Sequence, residues 1–354
     1  MGTLVRSLAL AIAALVLTLG AAELLLRASG RFPTVQLHSV SSRDHARIPG
    51  PWQPNQDLVR LAKPALPHRV RTNALGLRGP ETSLAPRGPR VLCVGDSFTF
   101  GDFVEDDETL PAQLGARLGP SVEVLNAGVG GTTVVDQRAL LEGMLALEPD
   151  LVLLTYSEND LDDLRLDPAM HERLTRNREL KDSWLGPIYA LARDTNLFYL
   201  VLRGRAVWGA FRAGAPASPV PEPTPQVGEV LEPAPRRKFD ALVERYAAEV
   251  EALDRELRAT GIAFVFAAYP SHYNVDELRD DATIPPLLDA LAGRGIEGID
   301  LTPALRASGL PGPTLYLLPE DGHPSARGYA IAATALAPPV AERLAASKKT
   351  SSTR

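Results

Sequence analysis

The chain has 354 residues, of which 45% are apolar and 23% charged. That is close to the globular average and excludes wholesale disorder, a coiled coil and a polytopic membrane protein. Its 37 basic and 43 acidic residues give a formal net charge of −6, with no basic excess to recruit nucleic acid. A single cysteine, Cys93, excludes an intramolecular disulfide framework and a multi-cysteine metal site.

In chain order, the first feature is apolar. Ser7 to Ala22 carries no charge, Arg6 precedes it, and after Glu23 the run resumes as Leu24, Leu25 and Leu26 before Arg27. Sixteen uncharged residues fall between a signal-peptide core of about 7–15 and a spanning helix of about 20. Residues 1–30 therefore read as a retained membrane anchor, because the leucine triplet extends the run. The alternative is a signal cleaved after Ala22, which would release a secreted protein. The short preceding tail favours a catalytic portion outside the cytoplasm. Residues 31–88 are rich in proline and polar residues and read as an extended lead-in. Within it, Arg69–Thr72 is a short strand candidate and Asn73–Gly79 a turn.

From residue 89 to 346 a regular alternation follows. Strands are predicted at Arg90–Val94, Val122–Leu125, Asp150–Tyr156, Ile262–Ala268 and Ile296–Leu301, from short apolar runs bounded by turns. Helices are predicted at Glu108–Leu118, Val134–Leu147, Leu185–Phe211, Phe239–Ala259, Ile284–Ala292 and Ser325–Ala346. The third of these is expected to cover the core, and the last to kink at Pro338–Pro339. Seven prolines between residues 213 and 235 exclude a helix or central strand there and mark an insertion. Residues 347–354 read as a disordered polar tail. Five strands separated by helices predict an α/β parallel sheet covered on both faces. In such sheets ligands sit at the carboxyl ends of the strands.

Those ends carry the polar residues. Gly95-Asp96-Ser97 follows the first strand and Asn126-Ala127-Gly128-Val129-Gly130-Gly131 the second. Ser157-Glu158-Asn159-Asp160 follows the third, and Glu320-Asp321-Gly322-His323 comes after the fifth. Each motif alone is weak, since a glycine-rich turn connects strands to helices and an Asn-Asp pair caps helices. Together, in this order, they suit acyl transfer. A serine hydroxyl needs an adjacent base, and His323 serves if a carboxylate orients its other nitrogen. An oxyanion needs donors placed in advance, and the Ser97 and Gly131 amides and the Asn159 side chain are candidates.

This pattern resembles the GDSL esterases of the SGNH hydrolase superfamily, from about Arg90 to Ala346. The resemblance implies a three-layer, flavodoxin-like sandwich with a five-stranded parallel sheet. It implies Ser97 as nucleophile, His323 as base, and Ser97, Gly131 and Asn159 as the oxyanion hole. Two departures stand out. Ser157 replaces the usual glycine of the third block. In the last block, Glu320 stands three residues and Asp321 two residues before the histidine, so either carboxylate is a candidate triad acid, with Asp321 favoured. The shorter spacing resembles acetyltransferases of the same superfamily.

The remaining polar clusters have plainer readings. Asp102, Glu105, Asp106, Asp107 and Glu108 read as a solvated acidic run at a helix start. Glu158, Asp160, Asp162 and Asp163 form a weak cation candidate. His272 reads as a surface-loop residue and Cys93 as a buried apolar one. The expectation is a membrane-anchored, extracytoplasmic serine esterase acting on short acyl esters, including O-acetyl groups on glycans. No metal, cofactor or nucleic-acid partner is expected. The alternatives are a cell-surface polysaccharide O-acetyltransferase with the same triad, and an inactive, membrane-tethered glycan-binding protein.

Overall fold

Strands that are apolar on both faces have to be covered on both, and the alternation of buried side chains shows how this is done. In the computed structural model of the chain, the described residues are 2–29, 37, 39–40, 47–60, 65–161, 163–164, 236–277 and 283–351, with residues 183–186, 188, 192, 195–198 and 200–201 between them. The chain divides into two compact units. One comprises residues 1–36 with 176–225, the other residues 37–175 with 226–354. The predicted proline-rich insertion at 213–235 lies outside the described residues.

In the first unit, α1 (Gly2–Ala28) takes up the apolar amino-terminal run. The stretch Val5–Ala28 is long and apolar enough to cross a membrane. The predicted helix at Leu185–Phe211 is described only in part, with helical residues at 186, 188, 192, 196–198 and 200–201. Ile188 and Val201 in this stretch, and Trp184 just before it, are exposed, at 61%, 59% and 82%.

The second unit begins with β1 (Asp57–Arg60) and β2 (His68–Arg71), an antiparallel hairpin. The lead-in is therefore folded rather than extended. Its alternating pattern buries Leu58 and Val70 against Phe100. The main sheet follows: β3 (Arg90–Gly95), β4 (Glu123–Asn126), β5 (Leu151–Ser157), β6 (Ala263–Tyr269) and β7 (Gly298–Asp300). All pairings are parallel, in the order β4-β3-β5-β6-β7. This is the flavodoxin-like order that the resemblance implies, with its crevice at the switch point between β3 and β5.

Alternate residues of β3, β5 and β6 serve two cores. Leu92, Leu154 and Phe266 face one of them, with α4 (Val134–Met144), α5 (Arg236–Thr260) and α7 (Ile284–Ala292). Cys93, Leu153 and Val265 face the other, with α3 (Leu110–Leu118), α8 (Thr302–Ala307), α9 (Gly312–Leu315) and α10 (Ala326–Ser351). Two short helices, α2 (Ser97–Phe100) and α6 (His272–Val275), follow β3 and β6 directly. α10 runs through Pro338 and Pro339 and on past Ala346 to Ser351, further than predicted. Buried Leu336, Val340 and Leu344 hold it to the core on both sides of the prolines.

One buried cation ties the hairpin to the loop after α2. The Arg78 side chain is only 1% exposed, and each of its five N–H groups has an acceptor. Nε donates to Asp106 Oδ1 at 3.0 Å, Nη1 to the carbonyls of Phe100 and Gly101 at 2.9 and 2.6 Å, and Nη2 to those of Val104 and Arg69 at 2.7 and 3.2 Å. The Arg78 backbone N–H donates to Asn126 O at the end of β4. Removing one partner of a buried ion pair leaves the other charged and desolvated, which costs about 3–5 kcal/mol. Arg78→Met is therefore expected to lose about that much unfolding free energy in urea. A loss below about 1 kcal/mol would show that the backbone bonds hold this loop without the guanidinium.

Candidate active site

Local chemistry at the end of β3 exposes the serine. Asp96 caps α2, with Oδ1 accepting the Phe98 N–H at 2.9 Å. Ser97 is the first residue of α2, so its N–H lies outside the helix ladder and is open to a ligand. Gly101 ends the helix with φ +86, and its N–H returns to Ser97 O.

His323 arrives from the far end of the chain. Its loop is closed by the Leu317 N–H on His323 O and the Asp321 N–H on Leu317 O, at 2.9 and 2.8 Å. Asp321 Oδ1 accepts the His323 backbone N–H at 2.8 Å and faces Nδ1 at 2.5 Å. On the other side of the ring, Nε2 is 2.8 Å from Ser97 Oγ. With a proton on Nδ1, the imidazole donates to Asp321 and accepts from the serine hydroxyl. Glu320, the alternative carboxylate, is exposed. Phe98 and Phe103 flank the ring with centroids at 5.2 and 5.3 Å. Burial pushes the His323 pKa down. The hydrogen bond and charge of Asp321, with the charges of Asp102 and Asp96, outweigh that and hold it above the ordinary histidine value.

The predicted oxyanion donors are placed differently from one another. Gly131 has φ +73, and the space where its side chain would stand is open. Its neighbour Gly130, not singled out in the sequence, lies against Ser97: a Cβ there would sit 3.5 Å from Ser97 Cβ. The signal for it was the doubled glycine. Asn159 Nδ2 donates to Asp96 Oδ2 and Asp163 Oδ2, each at 3.1 Å, so both its N–H groups are directed at carboxylates. Ser157, in place of the family glycine, puts its Oγ 2.8 Å from Asp96 Oδ2 and 2.7 Å from Asn159 Oδ1.

The lead-in hairpin supplies one wall, which no motif announced. Arg60 pairs with Asp102, whose backbone N–H bonds Ser97 O. A Cβ on Gly130 would lie 3.4 Å from Asp102 Oδ2. Buried His68 stacks edge-on against Phe103, accepts the Phe103 N–H at Nε2 and faces Leu66 O through Nδ1. The acidic run is thus not simply solvated. Asp106 is buried between Arg71 and Arg78, and Glu105 accepts the Arg69 N–H. A one-dimensional reading could not see these arginines, because they lie some 30 to 40 residues upstream.

Other candidates do not join the serine. Asp160 is buried, accepting Tyr246 OH at 3.1 Å and the Ser157 N–H at 3.4 Å. Burial, with the charges of Asp96 and Asp163, raises its pKa. Glu158 accepts the Ser271 N–H, and Asp162 is outside the described residues. His272 is buried against Tyr273 and Tyr316 rather than on the surface. Among the described residues no cluster of His, Cys, Asp and Glu is arranged to hold a metal ion. Cys93 is buried in β3, and burial pushes its thiol pKa up.

Residues 93–331 match the family model of the GDSL-like lipase/acylhydrolase family. Comparison with curated proteins finds no match. Several solved structures are similar. An acetyl xylan esterase shares 14% identity, covering 70% of this chain and 97% of its own, with a TM-score of 0.40. A variant of an acetyl-xylooligosaccharide esterase from Geobacillus shares 17%, covering 70% and 92%, with a TM-score of 0.41. A carbohydrate acetylesterase from Sinorhizobium meliloti shares 14%, covering 72% and 99%, with a TM-score of 0.36.

Titration of the His323 ring by NMR is expected to give a pKa above about 6.5. In Asp321→Asn the value falls, because the largest raising influence is gone while burial remains. Glu320→Gln leaves it in place. An unchanged value in Asp321→Asn would mean that another group sets the titration.

Proposed function

The chain belongs to the GDSL-like lipase/acylhydrolase family and is a hydrolase of ester bonds; we propose that it is a serine esterase using Ser97, His323 and Asp321. The observation that carries this reading is the imidazole held between two oxygens, with Ser97 Oγ at 2.8 Å and Asp321 Oδ1 at 2.5 Å. Ser97 Oγ attacks the acyl carbon as His323 Nε2 takes its proton. Asp321 fixes the tautomer and stabilises the imidazolium. His323 then gives that proton to the departing alcohol. Water repeats the sequence on the acyl-enzyme and returns the free serine and a carboxylic acid. The Ser97 and Gly131 N–H groups receive the oxyanion. Asn159 joins them by turning one N–H away from Asp163.

The substrate we propose is a short acyl ester of a hydroxyl-rich alcohol, such as an O-acetylated glycan. Phe98 and Phe103 against the His323 ring, and the Gly130 backbone against Ser97, support a small acyl group. The Arg60–Asp102 pair beside it offers a hydroxyl-bearing leaving group both a donor and an acceptor. We further propose that α1 anchors the enzyme in a membrane with the catalytic unit outside the cytoplasm. The apolar stretch Val5–Ala28 supports this.

Ser97→Ala is expected to abolish p-nitrophenyl acetate turnover and fluorophosphonate labelling while leaving the unfolding midpoint unchanged. Retained turnover would remove Ser97 from the reaction. Asp321→Asn is expected to lower kcat by roughly 10⁴, and Glu320→Gln by less than about tenfold, under ~1.4 kcal/mol of barrier. The reverse ranking reassigns the acid to Glu320. The reacting form of His323 is neutral, and its pKa is raised. The acid limb of kcat/KM is therefore expected above pH ~6.5, moving to lower pH in Asp321→Asn.

Asn159→Ala is expected to lower kcat by about 10²–10³ if its amide reaches the oxyanion. A loss below about tenfold means that the two backbone amides hold the charge alone.

A further inference from the structure

The unit built on α1 has an apolar surface that the catalytic unit lacks. Outside α1, the exposed large apolar side chains among the described residues are Trp184, Leu185, Ile188, Leu200 and Val201, together with only Val59 and Leu84 from the catalytic unit. The first five belong to the same compact unit as α1. Burying one such side chain is worth about 1.5–3 kcal/mol, so five of them exposed in one compact unit call for something that covers them.

A specific polar contact joins Asn196 and Leu197, just before Leu200 and Val201, to α1. Glu23 interrupts the apolar face of α1, and its carboxylate accepts two backbone N–H groups, Asn196 at 2.9 Å and Leu197 at 3.0 Å. Thr195 Oγ1 accepts a third, from Phe198 at 3.1 Å. Three of the amides that a helix start leaves unpaired are therefore satisfied here, two of them by a carboxylate suited to that end of the helix dipole. Glu23 stands 18 residues beyond Val5, about 27 Å along the helix axis. A bilayer hydrocarbon core is about 30 Å thick. When α1 spans, Glu23 and its i+4 partner Arg27 stand at the far boundary of the core, and the helical residues 196–198 start at that level. Tryptophan is favoured at such a boundary, and Trp184 is the most exposed of the apolar residues.

We propose that Trp184, Leu185, Ile188, Leu200 and Val201 form a second bilayer-contacting element, docked on α1 through Glu23 and occupied by the lipid at the boundary that α1 crosses. The inference rests on α1 being a retained anchor. The enzyme then holds its membrane by a span and a flanking apolar surface rather than by a single helix. The carboxylate in the span is there for a structural reason, since it caps the flanking helical turn.

The chain's only cysteine is buried, so single-cysteine labelling needs no background change. Full-length Ile188→Cys, Leu200→Cys, Leu17→Cys and Leu84→Cys are each labelled with a nitrobenzoxadiazole fluorophore and reconstituted into phosphatidylcholine vesicles. Fluorescence is quenched in turn by nitroxide-labelled phospholipid and by aqueous iodide. Positions 17, 188 and 200 are expected to lose at least half their fluorescence to the lipid quencher and little to iodide, and position 84 to show the reverse. Lipid quenching at 17 with iodide quenching at 188 and 200 overturns the proposal and leaves the anchor standing. Protection of 188 and 200 from both quenchers also overturns it, since a protein surface then covers them. No lipid quenching at 17 removes the anchor itself. Adding Glu23→Ala to Ile188→Cys is expected to cut lipid quenching at 188 at least twofold, whereas Glu23→Gln, which keeps an acceptor oxygen, retains most of it. Equal quenching in both backgrounds overturns the docking role of Glu23.

Discussion

The buried guanidinium of Arg78 is the constraint from which the site's geometry follows. Five N–H donors meet five acceptors in one desolvated place, and no lysine could reproduce that fan. Four of the acceptors lie on residues 100–106, directly after the helix that carries Ser97. With that loop held, Asp102 and Phe103 have fixed positions beside Ser97 and His323. The same residue bonds Asn126 through its backbone, and Asn126 Nδ2 in turn donates to Phe100 O at 3.1 Å. The segments after β3 and β4 and the lead-in hairpin thus meet at one side chain.

A second polar link crosses the sheet ends from β3 to β5. Asp96 uses one carboxylate oxygen to cap α2 and the other to receive Ser157 and Asn159. A glycine at position 157 could bring no hydroxyl to this cluster. Ser157 couples the end of β5 to the residue before Ser97, in a buried setting where such bonds are worth most. The consequence is chemical as well as structural. Asn159 is preoriented by Asp96, while its second N–H is shared with Asp163. In the proposed reaction, its availability to the oxyanion depends on competition between a standing carboxylate and a transient alkoxide.

The histidine is under opposed influences. Burial among Phe98, Phe103 and the loop disfavours its charged form, and three carboxylates favour it. The second influence favours the protonation that the proposed reaction asks of His323. The first, by excluding water, strengthens an ion pair with Asp321. The short Asp321 side chain is already fixed by the His323 backbone N–H, so little rotamer freedom remains to be lost in such a pair. Glu320, one residue earlier, faces solvent instead.

What the sequence determined by itself was whatever depends on neighbours along the chain. Short apolar runs at Arg90–Val94 and Asp150–Tyr156 marked the strands, and the position of polar residues after the apolar runs located Ser97, Asn126, Asn159 and His323 at the carboxyl ends of the sheet. The Asp-Gly-His spacing was also local, and it let Asp321 be weighed against Glu320. Local reading failed where partners are distant in sequence. The acidic residues 102–106 looked solvated because the arginines that face them, Arg60, Arg71 and Arg78, lie in the lead-in, some 30 to 40 residues upstream. His272 looked like a loop residue until α9 brought Tyr316 against it. Gly130 was one of two adjacent glycines, and only the approach of Ser97 distinguished them. Ile188 and Val201, exposed in the structure, belong to a predicted helix, Leu185–Phe211, with the apolar spacing of a core helix, since periodicity tells which residues share a face and not what that face meets. Burial, ion pairing and close approach belong to pairs of residues in space, and only the tertiary structure decides which pairs meet.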